Sequence, residues 1–356
     1  SSNVRSLSTS VSTQMTIFDG FSNTSSLSQA TQTAIGSEYT LGRTRQTVVN
    51  QTRRFYYDVL RTEKLLKVAE ATLQYSSQQL DRVKETARLG SASLVNVYQQ
   101  QSQVGQDEVR LVQAQNDYEL AKANLIAYLA LDVRGTYTIQ DPSIAGEISD
   151  EEFSKVRSET NDFRVLAERA LSTRPDYLTS KATFEAADAG VTIARSGYLP
   201  TVTANASYRL SGNSRLVNEF DDLKNNKTLS WGLSVSLPLF SGFRTNEASE
   251  RALVARKNAE ETLRDKERTV QVELQNALLQ LQAAEKTYDA SLKSLQYQDQ
   301  NLKVNQEKYN VGAGTLLDLL LAQNNYNSAL TTKINAVYQY LNAKSQLEFS
   351  LGTIQQ

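Results

Sequence analysis

The side chains able to do covalent chemistry are almost entirely missing from this sequence. Its 356 residues include no cysteine and no histidine, and Met15 is the only methionine. Thiol catalysis, disulfide bridges, imidazole acid–base chemistry and soft-metal ligation are therefore excluded together. No glycine-rich stretch leads into Lys-Ser or Lys-Thr in the manner of a phosphate-cradling loop. The carboxylates form no pair that stands out from solvated helix faces, so the expectation is a protein without catalytic residues, cofactor or metal. Lys and Arg (38) balance Asp and Glu (39), which leaves no basic stripe for a nucleic acid.

The remaining candidates are of another kind. Asp318 stands alone after a glycine turn that contains Gly312 and Gly314 and is preceded by Tyr309. Gly90 marks a similar turn earlier, with Asn96 standing 222 positions before Asp318. Trp231, Leu233, Val235 and Leu237 alternate with Gly232, Ser234, Ser236 and Pro238. Each group has a plain structural explanation too. Glycines serve turns by adopting positive φ, an acid in a first helical turn favours the helix dipole, and Tyr309 suits core packing.

The elements that hold these residues are unusually long. Neither glycine nor proline occurs from Arg43 to Leu89, or from the residue after Phe243 to Val311. Helix ends are normally announced by such breakers, so each stretch predicts one uninterrupted helix, the second roughly 100 Å long at about 1.5 Å per residue. Its apolar residues, Leu263, Val270, Leu274, Ala277, Leu281, Ala284, Tyr288, Leu292, Leu295, Leu302 and Tyr309, recur at steps of three, four or seven as a heptad-like seam. Short glycine turns lead to return helices, making antiparallel hairpins. Strict alternation over 199–210 and 228–240, and more weakly over 4–19, predicts strands. At about eleven residues they exceed the roughly six of a soluble sandwich strand and match a tilted transmembrane strand.

The order repeats. Phe18-Asp19-Gly20-Phe21 corresponds to Phe240-Ser241-Gly242-Phe243, and Leu89-Gly90 to Val311-Gly312, each 222 residues on. Val48 and Val270, Leu73 and Leu295, Tyr118 and Tyr340, and Lys122 and Lys344 keep the same offset. A constant offset over more than a hundred residues marks a duplicated unit. The first repeat is expected over 1–132, with a strand at 4–19 and helices at 22–89 and 93–131. Residues 133–163 read as an irregular connector carrying Asp141-Pro142 and the acidic Asp150-Glu151-Glu152. The second repeat is expected over 164–352, with a helix at 164–198 broken near Arg174-Pro175-Asp176, strands at 199–210 and 228–240, and helices at 244–310 and 315–351. A polar loop is expected at 211–227. Ser1 falls opposite this loop, so the N-terminal part of the first repeat is expected to be missing.

Several motifs resemble the TolC family of outer-membrane channels in order and kind. They are Arg174-Pro175-Asp176, Ala194-Arg195 with Leu199-Pro200, Leu237-Pro238-Leu239-Phe240-Ser241-Gly242-Phe243, Tyr309 to Asp318, and Leu347 to Leu351-Gly352. The resemblance implies a periplasmic helical barrel of long antiparallel coiled-coil hairpins joined to a transmembrane β-barrel, as a homotrimer sharing one 12-stranded barrel. It implies an outer-membrane exit duct of a Gram-negative bacterium, passively conducting small toxic molecules or polypeptides. The partners would be a periplasmic adaptor (membrane fusion) protein, an inner-membrane pump and outer-membrane lipid.

By the same resemblance, Asp318 would form an acidic ring at the periplasmic constriction, with Tyr309 and Asn96 beside it. Gly90, Gly312 and Gly314 would present tips for adaptor or pump docking, and Trp231, Leu233, Val235 and Leu237 would face lipid. Gly314 and Leu321 stand where the family pattern has a gating arginine and a second acid. The competing reading is a soluble coiled-coil scaffold, which accounts for the helices but not for long strands with an apolar face.

Overall fold

The computed structural model describes residues 5–91, 93–132, 134–135, 137–139, 148–214 and 226–354. Most of the expected 211–227 loop, and Asp141-Pro142 with it, lie outside them. By its internal contacts the chain divides into two units, one of Ser1–Leu41 and Asp176–Glu267, the other of Gly42–Pro175 and Arg268–Gln356. Each draws on both of the sequence repeats.

The first unit holds the strands β1 (Arg5–Phe18), β2 (Thr201–Ser214) and β3 (Lys227–Ser236), paired antiparallel in the order β1-β2-β3. Their register aligns the alternation across the sheet. Val11, Tyr208 and Leu229 stand side by side, as do Thr13, Ala206 and Trp231, and Met15, Ala204 and Leu233. The opposite face carries Ser12, Ser207 and Ser230, then Gln14, Asn205 and Gly232, with the Ser207 and Ser230 hydroxyls 2.8 Å apart. Pleating sends alternate side chains to opposite faces, so this register makes one apolar and one polar surface. A bulge at Ile17 interrupts β1, leaving it without a partner between Thr16 and Phe18. β3 stops before Leu237, short of the expected end at 240. Pro238 has no N–H for the ladder and restricts the residue before it.

The helices are α1 (Ser22–Arg88), α2 (Leu94–Tyr128), α3 (Asp150–Glu159), α4 (Phe163–Thr173), α5 (Pro175–Arg195), α6 (Arg244–Asn310) and α7 (Leu316–Leu351). A 3-10 turn, Ser196–Tyr198, leads from α5 toward β2. Among the described residues no helix is long and apolar enough to cross a membrane. α1 runs through Gly36, which packs on α5 with room for a methyl group. A Cβ there would lie 3.6 Å from the Ala182 Cβ, and the Thr179 hydroxyl donates to the Gly36 carbonyl at 3.3 Å. Pro175 begins α5 as a first-turn proline, and Arg174 before it takes extended backbone.

In the second unit the α6 seam is buried at Val270, Leu274, Ala277, Leu281, Ala284 and Tyr288 and half-buried from Leu292 onward. A second cluster joins Val59 of α1 to Ala121 and Leu125 of α2, with Phe55, Tyr56, Tyr118 and Ile139 against it. The stretch expected to be irregular contains α3. Ser149 accepts a hydrogen bond from the Glu152 amide, and Asp150, Glu151 and Glu152 fill the first turn. An N-cap serine followed by acids is a helix start, since both satisfy or stabilise the free amides there.

Candidate functional site

Two surfaces carry the candidate residues. The first is the apolar face of the sheet. Trp231 is 83% exposed and Leu229, Leu233, Val235, Val11 and Met15 are all largely exposed. Leu237 is exposed as well, just past the end of β3. Nothing among the described residues covers this face. Three strands are too few to close a barrel, and both outer strands keep a free edge within the described sheet. A contiguous apolar surface of this size marks an interaction with lipid or protein.

Where strand meets helix, the backbone turns through two successive left-handed residues. Gly20 and Phe21 have φ of 67° and 69°, and Gly242 and Phe243 have 62° and 63°. Phe18 and Phe21 stack edge to face at 5.3 Å, and Phe240 and Phe243 do the same at 5.8 Å. Phenylalanine seldom adopts positive φ, and here the aromatic pair accompanies it both times.

The second surface is at the helix-to-helix turns of the second unit. Gly90 (φ 77°) and Gly312 (φ 76°) end α1 and α6 in the same left-handed cap. After them the Ser91 amide donates to the Thr86 carbonyl and the Ala313 amide to the Lys308 carbonyl, at 2.9 and 2.8 Å. Gly314 is different, because its φ is not positive. A Cβ there would lie 3.1 Å from the Lys308 Cβ and 3.3 Å from the Tyr309 nitrogen, so it is a close approach of backbone to the end of α6 that calls for glycine. Val83 and Val97 from the first turn region pack with Leu316 from the second, with Leu80, Ala87, Tyr309 and Leu320 around them. Both turns thus share one apolar cluster, and Tyr309 is half-buried in it.

Asp318 is exposed and closes a capping box. Its Oδ2 accepts from the Thr315 hydroxyl at 2.6 Å and from the Thr315 amide at 3.2 Å, while its own amide donates to the Thr315 Oγ1 at 3.1 Å. The two Thr315 bonds, with a smaller contribution from Lys308, hold the carboxyl below the usual Asp value. It is therefore charged at any physiological pH. Asn96 occupies the matching place in α2, half-buried, beyond the N-cap Ser93.

The chain matches the family model for outer membrane efflux proteins over residues 1–131 and 166–353. The chain belongs to the outer membrane efflux protein family. It is 24% identical over 345 residues to outer membrane protein TolC of Vibrio cholerae, covering 92% of this chain and 73% of that protein. Pyoverdine export outer membrane protein OpmQ of Pseudomonas aeruginosa is 25% identical, over 89% of this chain and 63% of its own length. The fold is that of the solved outer membrane protein VceC of Vibrio cholerae, with a TM-score of 0.77, 17% identity, and 98% and 86% of the two chains covered. It is also that of CusC, with a TM-score of 0.78, 15% identity, and 99% and 83% covered.

In this outer membrane efflux protein two further constellations hold the second unit together, and sequence reasoning missed both. The last four carbonyls of α7 and its cap each receive a side-chain donor: Phe349 from Arg43, Ser350 from Arg174, Leu351 from Thr173 and Gly352 from Gln46. Arg174 is fully buried and pairs with Glu273 at 2.7 Å. The signal was present as Arg174-Pro175 and Leu351-Gly352, but nothing in sequence spacing brings the two together. The other constellation is α3. Phe153 stacks on Tyr340 at 4.8 Å and on Tyr288 at 5.6 Å, while Arg157 pairs with Glu285 and Lys344 with Glu152.

Proposed function

We propose that this protein is one protomer of an outer-membrane exit duct that passively carries small toxic molecules or polypeptides out of the periplasm. The observation that carries the reading is the uncovered apolar face of the sheet. Family membership supports the same place, the outer membrane of a Gram-negative bacterium. In hydrocarbon every strand edge must be paired, so an open sheet is completed only by other copies. Three copies would share a 12-stranded barrel, with β1, β2 and β3 as this chain's described share, and the duplicated hairpins would form the helical barrel. Trp231, Leu233, Val235 and Leu237 would meet lipid, and the serine face would line a wet lumen.

In the same reading Asp318 is the acid of the periplasmic constriction, three copies giving a ring of three charges, with Tyr309 and Asn96 at its margin. The turns at Gly90, Gly312 and Gly314 would receive an adaptor or an inner-membrane pump, which supplies the energy. A soluble coiled-coil scaffold would leave the apolar sheet face in water, against both its exposure and the family match.

The test is native mass spectrometry in detergent followed by reconstitution into a planar bilayer. A trimer that conducts ions is expected. A monomer giving no conductance, and recovered in the soluble fraction of cells, would refute the reading.

A further inference from the structure

Between α1, α2 and α7 of the second unit lies a cavity of about 440 Å³. That is far more than the roughly 30 Å³ share of one water, and it falls within the roughly 300–1,000 Å³ of small-molecule sites. Part of its wall is apolar, from Leu65 and Val68 of α1 and Ala114 of α2. The rest includes two buried polar atoms whose hydrogen bonding is incomplete.

Asp107 of α2 lines the cavity and is 1% exposed. Its Oδ1 accepts from the Gln103 side chain at 3.0 Å and from Arg110 at 3.2 Å, both on its own helix. Its Oδ2 is buried with no hydrogen-bond partner among the described residues. Asn327 of α7, also on the wall, has the complementary defect. Its Oδ1 accepts from the Gln323 side chain at 3.0 Å, while its Nδ2 is buried without an acceptor among the described residues. α2 and α7 both run antiparallel to α1, since Gln100 bonds to Ser76 while Ala121 packs on Val59, and Asn335 bonds to Arg61 while Gln346 bonds to Asn50. They therefore run in the same direction. Asn324 donates to Gln103 at 3.5 Å, and the next turn of each helix brings Asn327 level with Asp107. A carboxylate oxygen lacking a donor and an amide N–H lacking an acceptor thus border one space without bonding to each other.

Charge narrows what fits there. The wall carries Arg61, Arg110, Asp107 and Asp117. Arg61 is already bonded to Asp58 at 2.6 Å and Arg110 to Asp107, whereas Asp117 has no ion pair among the described residues. One negative charge is left over. We propose that this cavity binds a small organic ammonium ion that also carries a carbonyl or hydroxyl oxygen. The ammonium donates to the Asp107 Oδ2, the ligand oxygen accepts from the Asn327 Nδ2, and the hydrocarbon part lies on Leu65, Val68 and Ala114. A buried acceptor left unmet is costly, and a charge-assisted bond to it is among the stronger ones. A single water bridging the pair would leave the charge uncompensated and most of the cavity unfilled. The site belongs to one chain and one unit, so it goes beyond the duct read above and needs neither a trimer nor a membrane.

L-Leucinamide offers an ammonium, an amide oxygen and an isobutyl group, and N-acetyl-L-leucinamide lacks the ammonium. Isothermal titration calorimetry of each compound into the full chain in detergent tests the site. Leucinamide is expected to bind once per chain, and the acetyl compound at least tenfold more weakly. Asp107→Asn is expected to weaken leucinamide at least tenfold. Ala114→Leu fills the cavity with another good helix former and is expected to abolish binding at unchanged helical content by circular dichroism. No binding of leucinamide would mean that the cavity holds water alone, and would overturn the proposal. Equal affinity of the unaltered chain for both compounds would overturn it too, as would undiminished binding to either variant. If Asp107→Asn does not fold, the acetyl comparison and Ala114→Leu decide. Native mass spectrometry reads the trimer separately, so failure here leaves the duct standing.

Discussion

Gly352 turns directly against the backbone of Arg174. At φ 71° it ends α7, and a Cβ on it would lie 3.0 Å from the Arg174 Cα and 3.1 Å from its nitrogen. The close approach lets the guanidinium reach the Ser350 carbonyl and Glu273 while fully buried. Gly352→Ala combines left-handed strain with overpacking and should cost about 3 kcal/mol. Arg174→Met, which leaves the carbonyl and Glu273 without their donor, should cost about 3 kcal/mol as well. The two should not be additive, since each disturbs the same contact. Denaturant unfolding of the single and double variants measures this, and full additivity would show the two positions to be independent.

Under α3, Phe153 and the Tyr340 hydroxyl make opposite contributions. Phe153 fills the space between Tyr288 and Tyr340, so Phe153→Ala should destabilise by about 3–5 kcal/mol. The Tyr340 hydroxyl is buried without a hydrogen-bond partner among the described residues, and burial pushes its pKa far above the ordinary value. Tyr340→Phe should therefore be neutral or slightly stabilising. A loss of more than about 1 kcal/mol, the typical net value of one hydrogen bond, would reveal a partner for that oxygen.

The Thr315–Asp318 box separates a structural role from an electrostatic one. The Asp318 pKa is depressed in the folded chain, so its stabilising contribution is complete above the unfolded carboxylate value and fades as pH falls through the folded one. Thr315→Val should raise the Asp318 pKa toward the ordinary range, readable by NMR titration. It should leave the charge in place at pH 7 and ion selectivity unchanged. Asp318→Asn removes the charge, and in the proposed constriction it should weaken cation preference. Reversal potentials in a salt gradient decide this, and identical values for Asn and Asp would remove Asp318 from the gate.

On the sheet, Val235 and Ser234 are neighbours on opposite faces. Arginine at Val235 should cost on the order of 2–4 kcal/mol near a bilayer midplane, and arginine at Ser234 much less. Folding of both variants into lipid vesicles in urea measures the difference. Equal losses would mean that neither face meets hydrocarbon.

Period and breakers account for how much of this fold is visible in the residues alone. A run without glycine or proline from 43 to 89 has few alternatives to a helix, and the strict alternation from Leu229 to Ser236 has few alternatives to a strand. Ile17 could not be seen as a bulge, because the alternation continues through it and only pairing with β2 reveals the slip. α3 was hidden for another reason: at ten residues it lacks a repeating seam, although Ser149 and Glu152 are a legible N-cap signature. Gly314 looked like a turn residue needing positive φ, whereas its constraint is the distance to Lys308, which no sequence states. Long-range packing was the least legible level. Arg174 and Gly352 are both conspicuous in sequence, yet 178 positions separate them and only the fold makes them neighbours.

The donors gathered on the end of α7 have a consequence for sensitivity to proteases. The carbonyls they satisfy belong to residues 349–352, whereas Arg43, Gln46, Thr173 and Arg174 are made much earlier. A chain cut before Ser350 would keep the buried Arg174–Glu273 pair but lose the Ser350 carbonyl that the guanidinium also meets, which weakens the folded state. Chains shortened at this point would then be cleaved more readily than chains that reach Gly352, and a clip of a few residues here would loosen the helices that carry Arg43 and Arg174 as well.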